Sequence, residues 1–264
     1  VFRIGTVPWL NAVPLLAGLE AHAVLSRAAP DELSRRLAAG DLDAALLPVA
    51  EAARGVGSAW LGRHGIASEG PVASVLLFLK RPLAEVRHVA LDPASRTSAA
   101  LARHLVAHAT GGRALCAPAS RAGPSPAAEA ADAVLVIGDP ARAEARTWKG
   151  GVLDLGGEWT RRTGLPFVFA RWRARAGLLP AESVALAALL DQAADAGLPL
   201  RANLARAWAE EHGLEPRAAV EYVQRFVRYR IGPREEEALE RFLAIVRADD
   251  AAAGPAGAVA GQRR

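Results

Sequence analysis

The sequence predicts an α/β protein made of two strand–helix units and a closing block of helices. Short apolar runs alternate with helix-like segments through the first two-thirds of the chain, an alternation that implies right-handed crossovers and a mainly parallel sheet. The last third turns to helix after helix, each stopped by Gly and restarted by Pro. Among 264 residues, 52% are hydrophobic and 23% charged, which supports a packed core and excludes bulk disorder.

In the first unit, residues 2–7, 23–25 and 44–47 read as strands. Residues 10–19 and 31–39 read as the helices between them, the second opened by Pro30, Asp31 and Glu32. In the second unit, 72–79, 86–91 and 133–137 are strands, 97–108 is a helix, and the Gly-Pro-Ser-Pro run at 123–126 is a loop. A further strand is expected at 167–172, followed by helices at 181–196, 200–212, 216–229 and 233–248. In the last of these Ala238, Leu239, Phe242, Ile245 and Val246 make an apolar stripe at helical spacing. Residues 249–264, rich in Ala, Gly and Asp, have little to bury and read as a flexible tail. Composition leaves open whether the two units form one sheet or two lobes around a cleft. The runs at 74–79 and 166–172 bracket the middle segment and read as crossovers between lobes.

The net charge of +4 is concentrated in the middle: residues 1–74 carry −1, residues 75–165 carry +4 and residues 166–264 carry +1. No block of Lys and Arg with interleaved aromatics occurs, so a small anionic ligand fits better than a nucleic acid. The single cysteine, Cys116, excludes an intramolecular disulfide and any all-cysteine metal site, and it reads as a core residue. No apolar run approaches the roughly 20 residues that cross a bilayer. With no secretory leader ahead of the first strand, the expectation is a soluble, cytoplasmic, reduced protein.

Three stretches follow strands and carry candidate chemistry. Residues 5–15 (Gly-Thr-Val-Pro-Trp-Leu-Asn-Ala-Val-Pro-Leu) place Asn11 at a helix start, either as its cap or in a ligand wall at the carboxyl end of a strand. Residues 92–98 (Asp-Pro-Ala-Ser-Arg-Thr-Ser) open a helix with Ser95, Arg96, Thr97 and Ser98, an anion seat for carboxylate or phosphate. Gly138, Asp139 and Pro140 close another strand, with Asp139 a helix cap or a group at the sheet's carboxyl edge. Ser74 is a buried hydroxyl in an apolar strand, to be partnered by backbone or by ligand. His104 and His108 share a helix face but lack a third ligand at metal spacing, and Glu158 reads as a solvated helix charge.

Taken in order, six segments resemble the chorismate dehydratases, which open the futalosine route to menaquinone. They are residues 3–15; 40–51 (Gly-Asp-Leu-Asp-Ala-Ala-Leu-Leu-Pro-Val-Ala-Glu); 74–78 (Ser-Val-Leu-Leu-Phe); 91–101, containing the Asp92–Ser98 motif; 137–139 (Ile-Gly-Asp); and 154–159 (Asp-Leu-Gly-Gly-Glu-Trp) continuing to 163–170 (Thr-Gly-Leu-Pro-Phe-Val-Phe-Ala). Trp9 and Val13 stand where that family has Tyr and Arg. The resemblance runs from about residue 3 to 172 and more loosely to about 247.

It implies a two-lobed, type II periplasmic-binding-protein-like fold with a C-terminal helical block. Lobe 1 is then residues 1–75 and 170–248, and lobe 2 is residues 76–169. The implied reaction removes water from chorismate to give 3-[(1-carboxyvinyl)oxy]benzoate. The family's substrate-contacting Asn and Ser fall on Asn11 and Ser74, with Ser95, Arg96, Thr97, Ser98 and Asp139 as further substrate-binding candidates. No His or Glu base emerges from the cleft motifs. A carboxylate of the substrate, held by Asn11 and Ser74, is a candidate acceptor that the sequence alone does not identify. The competing readings are a solute-binding protein for a small carboxylate and the sister 1,4-dihydroxy-6-naphthoate synthase. No cofactor, metal, nucleotide, nucleic acid or membrane partner is expected. The apolar helix face within 181–248 leaves a homodimer open.

Overall fold

The structure is a computed structural model that describes residues 1–121 and 123–252. The chain begins with β1 (Phe2–Thr6), two 3-10 turns (Leu10–Leu15 and Leu19–Ala21) and β2 (Ala23–Arg27). It continues through α1 (Pro30–Ala39), β3 (Ala44–Pro48), α2 (Ala50–Ala53) and β4 (Trp60–Ser68). It then passes to β5 (Val75–Leu79), β6 (His88–Leu91), α3 (Arg96–Thr110), β7 (Leu115–Pro118) and β8 (Ala133–Ile137). After α4 (Gly138–Glu144), β9 (Gly151–Asp154) and α5 (Leu155–Thr163) it returns through β10 (Phe167–Ala174). The closing part is α6 (Pro180–Gly197), α7 (Arg201–Glu211), α8 (Pro216–Glu221), a π-helical turn (Tyr222–Phe226), β11 (Arg228–Arg230) and α9 (Pro233–Ala252).

Two sheets result. One is six-stranded, in the order β11-β4-β10-β3-β1-β2; the other is five-stranded, in the order β7-β6-β8-β5-β9. The two inner strands β3 and β8 are buried along their whole length, and their unbroken apolar sequences suit strands covered on both faces. The chain passes from the first sheet to the second at 69–74 and back at 164–166, just ahead of β5 and β10.

The sheets are mixed rather than mainly parallel. β1 pairs parallel with β2 and β3, and β6 with β7 and β8. In contrast β10 runs antiparallel to β3 and β4, β11 to β4, and β5 to β8 and β9. A strand that enters a sheet from the other sheet arrives without a crossover helix to turn it parallel, and β5 and β10 both do so.

Three of the expected elements change type or extent in the structure. The helix at 10–19 is two 3-10 turns, because Pro14 has no N–H to bond back and Gly18 sits at φ +75°. The helix at 216–229 stops at Glu221, widens into the π turn, and ends as β11, where the Arg-Tyr-Arg alternation buries Tyr229 and pairs Arg228 with Ala67 of β4. Residues 249–252, expected in a flexible tail, instead continue α9, and Asp250 pairs with Arg54. The remainder of that tail, 253–264, lies outside the described residues.

The helical block holds the first turns of the chain in place. Gly197, at the end of α6, comes so close to the Leu10–Leu15 turn that a β-carbon there would lie 2.2 Å from the Pro14 carbonyl oxygen. On α5, Glu158 is not solvated: it is 9% exposed and accepts from Arg161 at 2.8 Å and from Arg162 at 2.5 Å. Those guanidiniums, Arg161 first, pull its carboxyl from 4.5 to about 2. A depressed carboxyl contributes stability that is present above pH 4.5 and lost as the pH falls toward about 2. Glu158→Gln is therefore expected to lower stability at pH 7 by about 1 kcal/mol, discounted because Arg161 is largely exposed. It should also flatten the acid limb of a Tm-against-pH curve across that window.

Candidate functional site

A small cavity of about 60 Å³ lies where the carboxyl ends of β1, β3 and β8 meet the crossover into β5. Among the described residues its polar walls are Asn11, Ser74, Ser95 and Ser98, and Trp9, Ile66 and Phe169 contribute apolar surface. Among the described residues no charged side chain, histidine or cysteine lines it. Carboxyl ends of strands at the meeting of two sheets are where open α/β folds place ligands.

Asn11 belongs to the 3-10 turn after β1, but it does not cap it: Trp9 occupies the cap position and no side chain bonds there. The Asn11 amide oxygen is buried with no hydrogen-bond partner among the described residues. A buried acceptor left open beside a cavity is a ligand-directed feature.

Ser74 is 5% exposed, and its Oγ lies 2.9 Å from the phenol oxygen of Tyr222. It follows Ala73, the only non-glycine residue with positive φ (59°) among the described residues. A left-handed alanine is strained and persists only where its surroundings impose it. Here the imposing group is Asp154, whose carboxylate accepts from the N–H of Val72 at 3.0 Å and of Ala73 at 2.7 Å while capping α5 through Gly157.

The Ser95–Ser98 segment splits in two. Ser95 caps α3, accepting from the Ser98 N–H at 3.2 Å and the Ser98 hydroxyl at 3.0 Å, and both serines reach the cavity. The N–H groups of the first turn of α3 have no intrahelical partner, and its dipole favours an anion there. Thr97 turns away to accept from the Ala50 N–H at 3.0 Å, and Arg96 reaches Glu51 at 3.4 Å with its side chain half exposed. Asp92, fully buried, accepts from the N–H groups of Ala94, Gly123 and Ile137 and so ties three loops behind the site; burial raises its carboxyl pKa.

Asp139 lies in the first turn of α4 but faces a separate groove, where it pairs with Arg142 at 3.3 Å. Arg142 in turn donates to the Ala218 carbonyl at 2.8 Å and sits 4.5 Å above the Tyr222 ring. Sequence reasoning missed Tyr222, Arg142 and Asp154. Arg142 and Tyr222 lie outside the motifs, Tyr222 reading as one more residue in a helical pattern, and Asp154 opens the 154–159 motif but was given no role of its own. His104 and His108 pack edge to face with ring centres 4.9 Å apart, and burial lowers the pKa of His104. Cys116 is half-buried on β7, where burial raises its thiol pKa. Among the described residues no group of three or more His, Cys, Asp or Glu is placed to hold a metal, and no helix is long and apolar enough to cross a membrane.

An uncharged cavity with hydroxyls, an amide and a helix N-terminus can orient an anion, but its side chains supply no ordinary general base. Residues 2–248 match a protein family described as menaquinone biosynthesis. The chain is 31% identical over 260 residues to the chorismate dehydratase of Thermus thermophilus, covering 91% of this chain and 93% of that protein. Among solved structures, a protein of Archaeoglobus fulgidus superposes with a TM-score of 0.71 at 14% identity, covering 95% of this chain and 98% of the other. The periplasmic aliphatic sulphonate binding protein of Escherichia coli gives 0.61 at 18% identity, covering 95% and 87%. The fold is accordingly periplasmic-binding-protein-like.

Proposed function

Because the chain belongs to the menaquinone-biosynthesis family, we propose that it is a chorismate dehydratase of the futalosine route, a hydro-lyase converting chorismate to 3-[(1-carboxyvinyl)oxy]benzoate and water. The observation that carries the reading is the unpartnered Asn11 amide oxygen beside Ser74, at the N-terminus of α3, in a cavity without charged side chains. Chorismate is a dianion, and the α3 terminus with Ser95 and Ser98 offers donors for one carboxylate. The ring C3 proton is vinylogous to the ring carboxylate. Breaking that C–H bond gives a dienolate; the C3–C4 double bond then forms as the C4 hydroxyl leaves and takes up a proton as water. Aromatisation drives the reaction, so the protein's task is to orient the ring and exclude solvent. With no basic side chain on the cavity wall, a carboxylate of the substrate itself is the proton acceptor in this reading.

At about 60 Å³ the cavity is smaller than the pockets that bury small-molecule ligands, which run to several hundred Å³. A ring with two carboxylates requires the sheets to part about the crossings at 69–74 and 164–166. The corresponding lobes in this reading are residues 1–75 with 170–248, and residues 76–169.

Incubating the purified protein with chorismate, with no cofactor added, is expected to yield the aromatic ether, read by its ultraviolet spectrum and by a mass 18 units below the substrate. Full activity is expected to survive a chelator. Saturable binding of chorismate without turnover would reduce the protein to a carboxylate binder, and no binding at all would overturn the reading.

A further inference from the structure

Tyr222 is 3% exposed and sits at the first position of the π turn, a local widening of helix that recurs at functional sites. Its ring lies under Arg142, which Asp139 and the Ala218 carbonyl hold in place. Its phenol oxygen lies 2.9 Å from the Ser74 Oγ, its one side-chain hydrogen-bond partner among the described residues. The Asn11 oxygen accepts nothing from the described residues. The buried phenol hydrogen needs an acceptor, and the Ser74 oxygen is the one in reach. Burial raises the phenol pKa, so that hydrogen is retained at neutral pH.

We propose that Tyr222 is a positioning residue that donates to Ser74 and so turns the Ser74 hydroxyl hydrogen toward the cavity. The cavity then presents one pure acceptor, the Asn11 oxygen, and one committed donor, the Ser74 hydroxyl hydrogen. That pair selects a ligand carrying a hydroxyl and a carboxylate at matching separation. Resting on the dehydratase reading, this assigns the C4 hydroxyl of chorismate to Asn11 and a substrate carboxylate to Ser74. Oriented this way, the leaving hydroxyl donates to Asn11 rather than to the carboxylate that takes the C3 proton.

The test is Tyr222→Phe, which keeps the ring and its contact with Arg142. The expected result is a fall in kcat of roughly 10- to 30-fold, the size of one lost orienting hydrogen bond, with Tm within a few degrees of wild type. In a Ser74→Ala background the same substitution should cost distinctly less, because Tyr222 acts partly through Ser74. A wild-type kcat in Tyr222→Phe, or an equal fold-loss in both backgrounds, overturns the proposal. A second measurement does not depend on turnover. The chain has two tyrosines, so protein labelled with 13C at tyrosine Cζ gives two resonances. Ser74→Ala should move that of Tyr222 and leave that of Tyr229, whose hydroxyl has no partner among the described residues. An unmoved Tyr222 resonance refutes the network. Failure of the wild type to convert chorismate would refute the dehydratase reading alone, and the resonance would still decide the network.

Discussion

Asn11→Asp is expected to reduce kcat/KM for chorismate by tenfold or more while leaving Tm within a few degrees. The substitution keeps the shape of the side chain but puts a negative charge beside a dianion. Two unit charges about 4 Å apart repel by roughly 4 kcal/mol at an effective dielectric near 20. A third of that is already about tenfold in a rate or binding constant. The cavity wall holds no cation to absorb the charge. A capping role would predict no loss, since Asn and Asp cap about equally well; the cap position of that turn belongs to Trp9 in any case. Steady-state kinetics with thermal unfolding decides the matter, and a fully active Asn11→Asp protein would remove Asn11 from the site.

Trp159→Ala is expected to produce the largest loss of stability, about 3–5 kcal/mol by the usual cost of emptying a buried aromatic site. Trp159 is 1% exposed on α5 and meets Phe167 of β10 at 5.3 Å and Phe242 of α9 at 6.1 Å between ring centres. Its Nε1 donates to the Pro166 carbonyl at 3.0 Å, inside the crossing at 164–166. One side chain thus joins the helix that follows the five-stranded sheet to the six-stranded sheet and the last helix. Nothing larger than a void would replace it, and the Pro166 carbonyl would lose its donor. Trp159→Phe should recover part of the packing but not the hydrogen bond. Urea unfolding measures both, and a loss below about 1 kcal/mol for the alanine variant would mean that the neighbouring rings collapse into the space.

Much of the fold was legible along the chain. The strand at Ala133–Ile137, the helix opened by Pro30 and stopped by Gly40, and the long helices restarted by Pro180 and Pro233 all follow from apolar spacing and end signals. β4 was not legible. Its nine residues include Gly62, Arg63, His64 and Gly65, which break the alternation, and His64 is buried only because Asp191 of α6 meets it at 2.7 Å. The site divides the same way. Asn11, Ser74, Ser95 and Ser98 stand in motifs after strands, and the structure brings all four to one cavity. Arg96 and Thr97, adjacent to them in sequence, are taken up by Glu51 and by the backbone of Ala50.

By itself the sequence determined the α/β class, the positions of most helices, the motifs at strand ends and the family. Those depend on side-chain periodicity and end caps, which are set within a few residues. The tertiary structure alone decided the antiparallel return strands, the strained Ala73 held by Asp154, and the contact between Ser74 and Tyr222, 148 residues apart. Each of these is a hydrogen bond between distant elements, and its existence and direction depend on how the sheets and the helical block pack, which no local pattern encodes.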